Sequence, residues 1–215
     1  MLAVKRERLL ANLQALGAIG RSEDGGIART ALSAADVAGR DWFKDKIKAA
    51  GLLLREDGAG NISAVYPAAD PQAKTILFGS HLDTVPNGGR FDGALGVLAA
   101  SEVLQTLQEA AAQRPYHLEA ISFTDEEGSH ISFLGSRALT GDLSAQDLAQ
   151  PRQGAAAFEA GLELLQLTPQ GILETRRDPQ TLAAFVECHV EQGRRLEKEG
   201  LAVGVVTAAV GPACF

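Results

Sequence analysis

Three short apolar runs in this chain each end in residues able to hold a metal ion. Thr75–Ser80 (TILFGS) leads into His81-Leu82-Asp83, and Leu118–Phe123 (LEAISF) passes Thr124 into Asp125-Glu126-Glu127. Leu182–Cys188 (LAAFVEC) leads into His189-Val190-Glu191. Runs of this length between turn signals suit buried strands. Between the first two, residues 93–112 place Leu95, Leu98, Val103, Leu104 and Leu107 on one helical face. Strands alternating with helices predict an α/β sheet with helices packed on it, and ligands of such sheets gather at the carboxyl ends of the strands. The three endings therefore point to one shared site.

The rest of the chain fits this frame. Helical spacing predicts helices over 5–17, over 34–50 behind the N-cap residue Ser33, and over 155–165. Leu52–Leu54 and Ile62–Tyr66 flank Asp57-Gly58-Ala59-Gly60, a hairpin signal. Residues 134–150 read as loop and short helix, 166–180 as a connection, and Leu201–Val206 as a fourth strand. At 215 residues and 46% hydrophobic, the chain suffices for one large domain or two small ones with a true core.

Charge and composition exclude several classes. A net charge of −7 disfavours non-specific binding to nucleic acid or anionic membrane. No apolar run reaches the length of a bilayer span, and MLAVKRERLLANLQ reads as an amphipathic helix rather than a signal peptide. Two cysteines, Cys188 and Cys214, make no disulfide framework, so a reducing, cytoplasmic compartment is the default. Cys188 reads as a small buried residue within its strand.

Taken singly, the candidate residues have ordinary explanations. A lone histidine at a strand end is usually structural, adjacent acids usually form a solvated loop, and Asp92 can serve as an N-cap. Together, His81, Asp92, Glu127 and His189 suit Zn²⁺ or Mn²⁺, which accept imidazole and carboxylate. A carboxylate can bridge two ions about 3.5–4 Å apart, as in dinuclear hydrolytic sites. Asp83 lies on the same side of an extended chain as His81 and can orient its ring. Asn87-Gly88-Gly89-Arg90 precedes a helix, but lacks the spacing of a phosphate-binding loop.

Three segments carry a specific resemblance: GSHLDTVPNGGRFDGALGVLAA, FTDEEGSHISFLGSRALTG and ECHVEQGRRLEKEG. In this order they resemble the hydantoinase/carbamoylase family of amidases, metallopeptidase-like hydrolases that include N-carbamoyl-L-amino acid hydrolases, allantoate amidohydrolases and β-ureidopropionases. The likeness runs over roughly residues 5 to 215. His189 stands where peptidase relatives usually carry an acidic ligand. The resemblance implies that His81 and His189 hold one metal, Asp92 bridges two, Glu127 binds the second, and Glu126 is the general base. It further implies that Asp83 clamps His81, that Gln192 contacts substrate, and that the Asp92–Gly93 peptide is cis. The cofactor implied is a pair of divalent ions, Zn²⁺ first, with Mn²⁺, Co²⁺ or Ni²⁺ as alternatives. The substrate implied is a small N-carbamoyl or ureido acid whose linear C–N bond is hydrolysed. His130-Ile131 depart from the Arg-Phe that many members carry after this motif.

The resemblance also implies a three-layer helix–sheet–helix, zinc-exopeptidase-like catalytic domain that is incomplete at the C-terminus. Residues 1–209 would be its N-terminal part, and 210–215 the start of a connection into a lid and dimerisation domain. The second metal site would then be incomplete in this chain, and the parent a homodimer through that lid. The competing expectations are an inactive metal-binding fragment and a related metallo-aminopeptidase or deacetylase.

Overall fold

The computed structural model describes residues 2–208. Five strands form one sheet in the order β1-β2-β4-β3-β5. They are β1 (Leu53–Glu56), β2 (Ile62–Tyr66), β3 (Thr75–His81), β4 (His117–Phe123) and β5 (Leu182–Val186). The β1–β2 hairpin is antiparallel and joins β4 antiparallel, whereas β3 runs parallel to both β4 and β5. The parallel trio brings the three predicted endings to the same end of the sheet, the carboxyl ends of its parallel strands.

Helices cover both faces, in three layers. On one side α1 (Arg6–Leu16), α2 (Ala34–Ala49) and α3 (Ala94–Glu109) build the larger core, where Phe43, Ile47, Val97 and Leu104 meet Ile62, Ala64, Leu118 and Ala120 of the sheet. The hydroxyl of Ser33 accepts the Asp36 N–H and caps α2, as its position before the apolar period predicts. Strand alternation sends Ile121, Phe123 and Leu77 to the opposite face, where Leu139 packs on them. Leu139 belongs to α4 (Leu134–Thr140), which with α5 (Ala145–Leu148), α6 (Ala155–Leu165) and α7 (Pro169–Leu173) surrounds a second core centred on Leu134, Phe158, Leu162 and Ile172. No described helix is long and apolar enough to cross a membrane.

Several expectations need correction. Residues 201–206 form no strand, and Val203, Val205 and Val206 are exposed. Despite their apolar character they pair with no strand of the sheet among the described residues. Strand β5 ends at Val186, so Cys188 lies beyond it and is exposed rather than buried. The connection over 166–180 contains α7, started by the Thr168 cap and Pro169. No cis peptide bond occurs among the described residues; the chain turns at Asp92-Gly93 through Gly93, whose φ is 59°. The expected connection at 210–215, with Cys214, lies outside the described residues.

Candidate metal centre

The carboxyl ends of β3 and β4 are fixed by buried polar contacts. Arg29, fully buried, donates to the carbonyls of Leu82, Leu16 and Ile19 and so anchors the loop leaving His81. Arg40 reaches the Thr124 hydroxyl at 3.0 Å, and Asn61 accepts the Thr124 N–H. Asp125 then turns the chain with φ 49°, and its carboxylate accepts the N–H groups of His130 and Ile131. This closes the loop that presents Glu126 and Glu127. The His130 ring is buried against Phe158, in the second core.

Asp83 is placed otherwise than as a ring clamp. Its carboxylate accepts the backbone N–H groups of Glu126 and Glu127 at 3.3 and 3.2 Å, tying the β3 end to the β4 end. The nearest approach to the His81 ring is 3.8 Å. The ring's Nδ1 instead meets the main-chain carbonyl of Asp83 at 2.9 Å. A carbonyl only accepts, so Nδ1 carries a proton, and in the neutral ring Nε2 keeps its lone pair. His189 repeats the device: Nδ1 meets the Val190 carbonyl at 2.8 Å, and Nε2 faces the Asp92 carboxylate at 3.2 Å.

Side-chain ligand atoms of His81, Asp92 and His189 all lie within 4.8 Å of one another, the one such cluster of metal-capable groups among the described residues. Gly93 makes the close approach possible, since a Cβ there would sit 2.5 Å from three atoms of the His81 ring. Glu126 lies beside the cluster, 3.4 Å from His81 Nε2. Glu127 stands outside the three-residue cluster. Gln192 turns toward Asp92, donating to its second oxygen at 2.8 Å.

The electrostatics suit a basic carboxylate. Burial pushes the Glu126 carboxyl above its usual range, the His81 charge opposes, and Glu127 and Glu187 add to the rise. Glu127 is raised in the same way, by burial first. Burial pushes Asp83 up to about 7. For His81, burial favours the neutral ring, but the negative charges of Asp83, Glu126 and Glu127 outweigh it and raise the pKa.

One contact was absent from the sequence reasoning. The Ser80 hydroxyl donates to Glu187 at 2.6 Å, linking the residues just ahead of the two histidines. The available signal was Glu187 itself, a charge ending an apolar run and on the same side of an extended chain as His189.

Residues 77–212 match the model of peptidase family M20/M25/M40, a span that holds all seven candidate residues. The chain is 40% identical to an N-carbamoyl-L-amino acid amidohydrolase of Geobacillus stearothermophilus over 97% of its own length and 51% of the relative's. It is 36% identical to an allantoate amidohydrolase of Bacillus subtilis, over 91% and 48%. Among solved structures, a hydantoinase/carbamoylase family amidase from Burkholderia ambifaria superposes with a TM-score of 0.83 at 38% identity, covering 93% of this chain and 48% of that one. The chain thus spans about half the length of the curated relatives it matches.

Proposed function

We propose, from the premise that the chain belongs to peptidase family M20/M25/M40 and resembles its hydantoinase/carbamoylase amidases, that it is the metal-binding part of an amidohydrolase. The reaction is hydrolysis of a linear C–N bond in a small N-carbamoyl or ureido acid, as the names of the relatives suggest. One observation carries the reading. Two imidazoles, each with Nδ1 tied to a main-chain carbonyl, bring ligand atoms within 4.8 Å of one another and of the Asp92 carboxylate, with His81 Nε2 facing Glu126 and His189 Nε2 facing Asp92. That donor set fits a divalent ion such as Zn²⁺, with Mn²⁺, Co²⁺ or Ni²⁺ as alternatives.

His81, Asp92 and His189 would hold the ion. Glu127 and a share of Asp92 would serve a second, weaker position. When bound, such an ion polarises a carbonyl and a water and offsets developing negative charge. Glu126 does the proton work. It is partly buried, its basicity is raised, and it stands next to the cluster, so it can take a proton from water and return it to the leaving nitrogen. Asp83 holds the backbone of Glu126 and Glu127 in register with His81. Gln192 contacts substrate when released from Asp92. A domain boundary near 209, a homodimer through a lid and a cytoplasmic location complete the proposal.

Calorimetric titration with Zn²⁺ should show one dominant site, abolished by His189→Ala. In a preparation that hydrolyses N-carbamoyl-L-amino acids, Glu126→Gln should retain metal and lower kcat by about 10²–10⁴-fold. Turnover of N-acetyl but not N-carbamoyl amino acids would move the assignment to a deacetylase. Normal turnover by metal-loaded Glu126→Gln would remove Glu126 from the mechanism.

A further inference from the structure

We infer that Ser80 and Glu187 are a positioning pair that sets where His189 stands relative to His81. The inference rests on the metal-centre reading above and adds two residues to it.

The backbone ladder between β3 and β5 stops at Phe78 and Val186. Beyond it the two chains must deliver His81 and His189 to one point without further strand pairing. The Ser80 hydroxyl bridges that gap by donating to Glu187 Oε1 at 2.6 Å. Ser80 directly precedes His81, and Glu187 lies two residues before His189. A hydroxyl-to-carboxylate bond of this length is charge-assisted and directional. Ser80 is 1% exposed, so the rigid partner lies in the core while Glu187 lies on an exposed segment.

Helix α3 seals the same junction. A Cβ at Gly96 would fall 2.5 Å from the Cys188 carbonyl oxygen and 2.8 Å from Ser80 Cβ. The first turn of α3, just after Asp92, therefore rests on both strand endings at once. All three ligand-bearing segments meet where Ser80 and Glu187 touch.

The other ties on His189 do not substitute for this one. Its bond to the Val190 carbonyl is local and moves with the segment. The contacts of His189 and Gln192 with Asp92 occupy the very carboxylate that the ion requires. The Ser80–Glu187 bond leaves every ligand free. Partners that orient metal ligands typically contribute 10–100-fold in metal affinity.

The test is Zn²⁺ affinity, by chelator competition, of the full chain and of Ser80→Ala, Glu187→Ala, Glu187→Gln and His189→Ala, with thermal unfolding of each metal-free protein. Ser80→Ala and Glu187→Ala should weaken Zn²⁺ binding by about 10–100-fold while melting close to the parent. Glu187→Gln, whose amide oxygen still accepts the hydroxyl, should recover most of the loss. Parent-like affinity in both alanine variants, alongside loss in His189→Ala, would overturn the pair and leave the metal centre standing. A Glu187→Gln affinity as poor as that of Glu187→Ala would also overturn it, since charge rather than placement would then matter. No Zn²⁺ binding by the unsubstituted chain would overturn the metal centre itself.

Discussion

The two histidines of the centre end neighbouring parallel strands, yet they stand in opposite surroundings. His81 is 2% exposed, whereas the side chain of His189 is 32% exposed. Strand β3 lies between β4 and β5, with α3 on one face and Leu139 near the other, and most of its residues are buried. Strand β5 is the sheet edge; it gives Leu182 to the core and sets Phe185 edge-on to Phe123, but four of its five residues are exposed. Apolar composition measures what a strand is able to bury. Its neighbours decide what it does bury. The site is thus half rigid, at β3 and β4, and half carried by a lightly held segment.

Removing a large side chain from each region should cost very different amounts of stability. Phe43 is wholly buried in the main core, so Phe43→Ala should cost about 3–5 kcal/mol of stability. Phe185 has about half its surface in solvent, and Phe185→Ala should cost under about 1.5 kcal/mol, near the worth of one aromatic contact. Denaturant midpoints at unchanged slope measure both. Equal costs would show the β5 segment to be as integrated as the core.

The histidines themselves give the second contrast. His81→Ala and His189→Ala should each remove tight Zn²⁺ binding. Only His81→Ala should also destabilise the metal-free protein, by about 1–3 kcal/mol, because it leaves the buried Asp83 carbonyl without a donor. His189 bonds the Val190 carbonyl in an exposed segment, where water replaces it. A melting temperature lowered equally by both changes would contradict the division.

The same division explains what the sequence revealed. The strands β3 and β4, the α3 period and the Ser33 cap were readable because burial there follows the local pattern. His81 and His189 were readable because strand-like runs ended in them, and Asp92 because a carboxylate directly ahead of a predicted helix joins them as a metal-capable set. The sequence overstates β5 at its carboxyl end and suggests a strand over 201–206, because a short apolar run signals strand whether or not it pairs. The Asp83 arrangement was hidden for another reason: spacing places a side chain on one side of the strand, but cannot choose between a ring and two amides as its partner. Ser80–Glu187 was hidden because a pairing 107 residues apart leaves no periodic trace.

Ion pairs separate the regions too, and the exposed pair carries the smallest expected effect. In the core region Glu102 on α3 takes both arms of Arg8, at 2.6 and 2.7 Å, and the N–H of Lys5, fastening α1 to α3. Its side chain is 2% exposed. Burial alone would raise the Glu102 carboxyl, but the Arg8 bond and its companions overcome this and hold it below the usual range. A carboxyl with a depressed folded pKa adds stability that is complete above its unfolded value, about 4.3. That stability is lost as pH falls through the lower folded value. Glu102→Gln should therefore flatten the acid limb of the stability profile below about pH 4.3, and Arg8→Ala should cost about 1–3 kcal/mol at neutral pH. On α8 (Arg195–Glu199), Arg195 and Glu199 also pair, at 3.3 Å, with both side chains more than half exposed. Water and salt screen such a pair, so Glu199→Gln should change stability by no more than about 0.5 kcal/mol at neutral pH. Urea midpoints check both, across the acid range for Glu102→Gln and at neutral pH for Arg8→Ala and Glu199→Gln. An acid limb that persists in Glu102→Gln, with a larger loss of stability in Glu199→Gln than in Arg8→Ala, would place the stabilising electrostatics in the exposed segment.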